Sequence, residues 1–273
     1  MGESLLISLR EGFEAALVVS IVLAAVRRTA PEQTRAVWVG TGVALAVAVV
    51  AGLVLHVTID GLEGTARQRT FAAICVAAAA LLTWMIFWMR SHARTLKGTL
   101  EERAGEALAG GSGLALAFVA FVAVLREGLE TALFLISTTA NSEGADVVAG
   151  TLVGLAIAVV LGWVVYVGGT RFDLRRFFIV TGVLLVLFAG GLLDRAVGLL
   201  QGAGDVHSWD DSLYDLTRYG WLTGRTQSGR FLSGILGWDA QPSVEQAAVY
   251  LAYVIPVAVL FLRGYRRPAK YAL

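Results

Sequence analysis

Seven apolar stretches recur along this chain, near Ser4–Val26, Val37–Val57, Thr70–Met89, Gly113–Ala140, Val147–Gly168, Phe177–Leu200 and Gln246–Leu262. At about 1.5 Å per residue, each is long enough to cross roughly 30 Å of hydrocarbon. Inside lipid, every backbone N–H and C=O must be satisfied within its own helix or a closed barrel, and these stretches are about twice as long as a barrel strand. The expected fold is therefore all-α: a polytopic membrane protein with seven transmembrane helices. Composition agrees. Of 273 residues 57% are hydrophobic and 16% are charged, against about 25% charged in soluble domains, so lipid is the expected solvent for most of the exterior. A net charge of +1 gives no sign of a nucleic-acid partner. The single cysteine, Cys75, lies in an apolar run and reads as a core residue, since one thiol builds neither a disulfide nor a cysteine metal site.

The first stretch lacks a basic leader and is interrupted by Arg10, Glu11 and Glu14, so it reads as a retained helix, not a signal peptide. Basic residues then set the orientation. The first, third and fifth loops and the C-terminal tail hold fourteen, including Arg27, Arg28, Arg90, Lys97, Arg175 and Lys270, whereas the other face holds six. The positive-inside rule puts the N-terminus outside and the C-terminus in the cytoplasm, and an odd number of spans agrees.

Arg10-Glu11-Gly12-Phe13-Glu14-Ala15-Ala16-Leu17 reappears 116 residues later as Arg126-Glu127-Gly128-Leu129-Glu130-Thr131-Ala132-Leu133. Three spans separate the copies, so they run in opposite directions. The expected organisation is one membrane domain with an inverted repeat, residues 1–97 against 113–200. An external loop (201–245) and an added helix (246–262) follow it. Beyond these eight positions the halves look only weakly alike. Inverted repeats place substrate sites at the repeat interface near mid-bilayer.

Each charged side chain at a helix centre costs about 2.5–3.5 kcal/mol on the insertion scale, and such residues usually face a bundle interior or a water-filled path. With about 100° per residue, Arg10 and Glu14 share a face, and Glu11 lies about 60° from Glu14. Arg126, Glu127 and Glu130 repeat the arrangement. If the two helices cross at the motif, four carboxylates converge, with Gly12 and Gly128 allowing close approach. Carboxylate oxygens suit hard cations and not copper(I), and zinc usually takes His or Cys. Structural ion pairs, Arg10–Glu14 and Arg126–Glu130, are the alternative reading of the same spacing. Nearer the outside, Glu3 and Asp194 are expected entry positions. With Asp60, Glu63, Glu143 and Asp146 they form either an acidic funnel or solvated helix ends. Loop 201–245, with Asp205, Asp210, Asp211, Asp215, Trp209, Trp221 and Trp238, reads as an interfacial helix or as a docking or metal-collecting surface.

These residues resemble the oxidase-dependent iron transporter family, which joins fungal high-affinity iron permeases to bacterial relatives. The likeness covers nearly the whole chain, including both motifs, Leu82–Arg90 and the stretch from Pro242 to Pro256. It implies iron (Fe³⁺ or Fe²⁺) as transported substrate, with no permanently bound cofactor. It also implies that Glu11, Glu14, Glu127 and Glu130 bind iron in transit, while Arg10 and Arg126 have no assigned ligand role. An external iron oxidase or haem peroxidase and an accessory iron-binding protein are implied partners. Transport of manganese or lead, or metal sensing without transport, are the alternatives. An intramembrane metalloprotease needs a His-Glu-x-x-His helix, and the sequence has none.

Overall fold

The computed structural model describes residues 1–92, 113–139, 144–168, 174–207, 212–219 and 239–266, together with 98, 102, 105–107, 223, 226, 229, 236 and 237. Seven long α-helices lie within them: α1 (Gly2–Thr29), α2 (Thr34–Asp60), α3 (Gly64–His92), α4 (Gly113–Thr139), α5 (Gly144–Gly168), α6 (Leu174–Gly202) and α7 (Val244–Arg266). No strand occurs among the described residues. Pro31 opens a short 3-10 turn, Pro31–Gln33, between α1 and α2, and Gly64, with φ +59°, turns the chain into α3. Five helices are long and apolar enough to cross a membrane: α2, α3, α5, α6 and α7. The two outside that set, α1 and α4, carry the charged motifs. Hydroxyls inside the helices mostly bond their own backbone: Thr58, Thr83, Thr131 and Thr151 each donate to the carbonyl four residues earlier at 2.6–2.8 Å.

Two compact units emerge. One contains Ser4–Thr58 and His92–Leu174, and so holds α1, α2, α4 and α5; the other contains Met1–Glu3, Ile59–Ser91 and Arg175–Leu273, with α3, α6 and α7. Each unit thus draws helices from both halves of the sequence.

In the first unit, Val19, Val22, Leu23 and Val26 of α1 pack with Val37 and Ala44 of α2 and with Leu116, Ala120 and Val124 of α4. The C-terminal part of α1 therefore meets the N-terminal part of α4, and these helices run antiparallel. Small residues set the other contacts. A Cβ on Gly12 would lie 3.0 Å from Ala158 Cβ, and one on Gly162 2.6 Å from Ala16 Cβ, so α1 runs parallel to α5. A Cβ on Gly128 would lie 2.6 Å from Ala48 Cβ, and one on Gly52 3.3 Å from Ala132 Cβ, so α2 runs parallel to α4. The glycines of the two motifs thus receive α5 and α2, rather than each other's helix as the sequence suggested. The likeness of the halves also exceeds the eight motif positions. An offset of 110 residues lays 40–54 of α2 on 150–164 of α5 with ten identities, among them Gly40/Gly150, Thr41/Thr151, Ala48/Ala158 and Gly52/Gly162. The outer faces of α2 and α5 expose Trp38, Val43, Val54, Leu152, Val159 and Trp163, as lipid contact requires.

In the second unit, α6 and α7 run antiparallel. A Cβ on Gly182 would lie 2.5 Å from Phe261, one on Gly190 2.5 Å from Val254, and one on Gly198 3.0 Å from Gln246. Thr83 shares a 2.5 Å hydrogen bond with Tyr253, and Arg90 donates to Leu260 O at 2.8 Å, tying α3 to α7. Cys75 is buried and free, as expected. The loop after α6 forms turns through 203–206 and 217–219, and Leu213 and Leu216 donate to Pro242 O and Ala240 O. The reading of an interfacial helix falls mostly outside the described residues, of which 229 and 236 have helical backbone. Asp205 receives a fork from Arg69 at 2.7 Å, which holds its exposed carboxyl below the usual range. Asp215 caps Thr217, with Oδ1 accepting from its N–H and hydroxyl at 2.8 and 2.6 Å. Both aspartates thus have structural partners. Glu143, Trp209, Asp210, Asp211, Trp221 and Trp238 lie outside the described residues.

A Cβ on Gly154 would sit 2.5 Å from Leu5 O, whereas one on Gly42 meets nothing within 4 Å. Gly154→Val is expected to destabilise by about 1–3 kcal/mol through overpacking. Gly42→Val should stay within about 1 kcal/mol of the parent. Thermal unfolding in detergent distinguishes the two.

Candidate metal site

The charged motifs lie where α1 and α4 pass each other. Arg10, Glu11 and Glu14 are 2%, 1% and 6% exposed, and Glu127 and Glu130 are 9% and 7% exposed. Burial of this depth for ionised groups requires partners, because an unpaired charge in a low-dielectric interior is costly. Arg10 serves two carboxylates of its own helix: Nη1 donates to Glu11 Oε1 at 3.1 Å, and Nη2 lies 3.0 Å from Glu14 Oε1. Arg126 serves mainly one. Its Nε donates to Glu130 Oε1 at 2.9 Å and lies 3.9 Å from Glu127 Oε1. The arginines also differ in setting, since the Arg126 side chain is 36% exposed. The two copies of the motif are therefore alike in sequence and unlike in environment.

Glu11, Glu14 and Glu127 each offer a carboxylate oxygen, and these three oxygens lie within 4.8 Å of one another. The geometry needs both helices. Glu11 and Glu14 come from successive turns of α1, and Glu127 arrives from the antiparallel α4. Glu130, expected to complete a set of four, stands outside this group with one oxygen on Arg126. Glu11 Oε2, Glu127 Oε2 and Glu130 Oε2 are buried without a hydrogen-bond partner among the described residues. Buried acceptors are normally satisfied, and these three oxygens are the acceptors that this part of the fold leaves available. An all-oxygen donor set suits a hard or borderline divalent or trivalent metal.

Two further buried hydroxyls lack a partner among the described residues: Ser8 Oγ, one turn before Glu11 on α1, and Thr41 Oγ1 on α2. Neither is acidic, so neither belongs to the charged motifs. Ser8 could have been found by its place three residues before Glu11, in an otherwise apolar run. The expected entry residues belong to the other unit. Glu3 is locked in a buried ion pair with Arg195, whose Nη1 donates to Glu3 Oε2 at 2.9 Å and whose Nη2 contacts Glu3 Oε1. Asp194 is 6% exposed and accepts from Gln246 Nε2 at 3.3 Å. Neither belongs to the three-carboxylate group. Asp60 lies 3.5 Å from Arg67, a contact typical of an exposed helix end.

The sequence matches the iron permease FTR1 family over residues 1–268. It is 35% identical over 271 residues to the ferrous iron permease EfeU of Yersinia pestis, covering 98% of this chain and 95% of that protein. It is 37% identical over 263 residues to the ferrous iron permease EfeU of Shigella sonnei, covering 94% and 93% respectively. No solved structure gives a significant match.

The unequal settings of the arginines yield a stability test. Arg10→Gln leaves two buried carboxylates without their shared cation and is expected to cost about 3–5 kcal/mol. Arg126→Gln takes a partly exposed partner from one buried carboxylate, Glu130, and is expected to cost less, about 1–3 kcal/mol. Chemical or thermal unfolding of both purified variants checks the order.

Proposed function

The chain belongs to the iron permease FTR1 family, and on that premise we propose that it imports iron past the carboxylates of Glu11, Glu14 and Glu127, with Glu130 as a fourth oxygen source. The observation that carries this reading is the meeting of three carboxylate oxygens from two antiparallel helices within 4.8 Å, beside buried oxygens that have no partner. Arg10 and Arg126 hold the empty site together through charge-assisted hydrogen bonds. An arriving cation takes over the carboxylates, so the arginines act as displaceable counter-charges. The relatives are named ferrous iron permeases, which favours Fe²⁺ as the carried state.

The architecture in this reading is seven membrane-spanning helices, six arranged as an inverted repeat, 1–97 against 113–200, and a seventh added. Four observations support it: the motif offset of 116, the α2/α5 offset of 110, the antiparallel α1–α4 packing, and the matched glycine contacts. Gly12–Ala158 corresponds to Gly128–Ala48, and Gly162–Ala16 to Gly52–Ala132, under those same two offsets. Burial of the charges inside the protein is what would let α1 and α4 span the lipid. The distribution of basic residues supports an external N-terminus. Iron would then enter from the α1 N-terminal face and leave toward the cytoplasm. An external iron oxidase or peroxidase with an accessory iron-binding protein is the supply that the family likeness implies.

Uptake of ⁵⁵Fe into proteoliposomes tests the proposal. Glu14→Gln and Glu127→Gln should each lower uptake at least tenfold with reconstitution unchanged, because each removes one of few ligands. Uptake at parental rates in either variant would contradict it. Mn²⁺ as competitor measures selectivity, since oxygen donors alone discriminate weakly between these ions.

A further inference from the structure

The inverted pairing proposed above, on which this inference rests, gives residues 2–23 of α1 mates 116 positions along, at 118–139 of α4. The mates on the two sides of the carboxylates are chemically unlike. On one side, Val22 and Leu23 of α1 pack with Ala120 and Val124 of α4 inside the apolar cluster. On the other side the mates of Ala120 and Val124 are Ser4 and Ser8, and the mates of Val22 and Leu23 are Thr138 and Thr139. The frame is repeated, but at these four paired positions one end carries aliphatic side chains and the other hydroxyls.

Packing does not call for the hydroxyls, because valine, leucine and alanine occupy the equivalent places. They are also buried: Ser4, Ser8, Ser137 and Thr138 are 1%, 0%, 0% and 1% exposed. Ser137, Thr138 and Thr139 donate to backbone carbonyls three residues earlier at 2.6, 2.7 and 2.8 Å. That bond uses the proton and leaves the oxygen lone pairs to accept from water or to coordinate a cation. Ser8 Oγ is fully buried and has no partner among the described residues. It lies one turn from Glu11, where such an oxygen would share a cation that has shed part of its hydration.

We infer that cations reach Glu11, Glu14 and Glu127 along a hydroxyl-bearing half-path marked by Ser4, Ser8, Ser137 and Thr138. The cluster of Val19, Val22, Leu23, Ala120 and Val124 is the closed barrier on the far side. A cation passing these five side chains would find no oxygen donor among them, although α2 carries the buried Thr41 hydroxyl between Val37 and Ala44 on this side, so the cluster has to part before release. With the N-terminus outside, the half-path opens outward and the barrier faces the cytoplasm.

Single-cysteine variants in a Cys75→Ser background test this with a membrane-impermeant cationic methanethiosulfonate reagent, applied to vesicles of either sidedness. Ser4→Cys, Ser8→Cys and Ser137→Cys should react from the N-terminal face at least tenfold faster than Val22→Cys, which should resist labelling from both faces. Equal labelling of Val22→Cys, or silence of all three serine positions in folded protein, would overturn the inference. As a second arm, Val22→Thr with Val124→Ser installs the mates' hydroxyls in the barrier and should produce Mn²⁺ leak in proteoliposomes; a tight, folded double variant would overturn the barrier. Labelling reads access without iron. A correct labelling pattern with normal uptake by Glu14→Gln would therefore sink the carboxylate reading and leave the path standing. The reverse pair of results would do the opposite.

Discussion

Charge buried away from water must be neutralised locally, and that requirement organises the unit containing α1, α2, α4 and α5. Arg10, Glu11, Glu14, Glu127 and Glu130 all lie within a tenth of full exposure or less. Each would cost about 2.5–3.5 kcal/mol alone at mid-bilayer. Neutralisation is incomplete on both helices. Arg10 divides itself between two carboxylates, and Arg126 is committed chiefly to Glu130. The remaining negative charge falls on the group to which both helices contribute. In the proposed reading, arginine balances part of this charge and a cation balances the rest. Around it, α2 and α5 approach through glycine and alanine contacts and turn valines, leucines and tryptophans outward, keeping lipid from the charges.

Much of this was legible in the letters. Every apolar stretch proved to be a helix, because spans of that length have few other ways to satisfy their backbone. The pairing of two oppositely directed motifs was readable because Arg-Glu-x-x-Glu is conspicuous inside an apolar run. What escaped was the likeness of α2 to α5, since Gly40/Gly150 and Ala48/Ala158 are ordinary residues for a membrane helix and become informative only as contacts. The partners of Gly12 and Gly128 escaped for a related reason. A small residue announces a close approach and does not say to which helix. Glu3 shows the opposite limit. Its carboxylate type suggested cation entry, but a distant Arg195 claims it, and no local spacing reveals a partner 192 residues away.

The repeat supplies a frame in which departures from symmetry acquire meaning. Identical motifs sit in unlike settings, one arginine enclosed and the other partly open. Aliphatic side chains on one side of the site face hydroxyls on the other. In the proposed inverted repeat, such an asymmetric lining is what directional passage would need, because two exits from a central site must not be open together. Only the described residues enter this comparison, and within them the polar and apolar ends both belong to the same four-helix unit.

In the proposed site, one cation is shared by carboxylates of two helices. Equilibrium binding of Mn²⁺ or anaerobic Fe²⁺ to the purified protein tests it most directly, by stoichiometry. One high-affinity ion per chain is predicted, lost alike in Glu11→Gln on α1 and in Glu127→Gln on α4. Two ions per chain, with each substitution removing one and sparing the other, would show two separate sites and contradict the account.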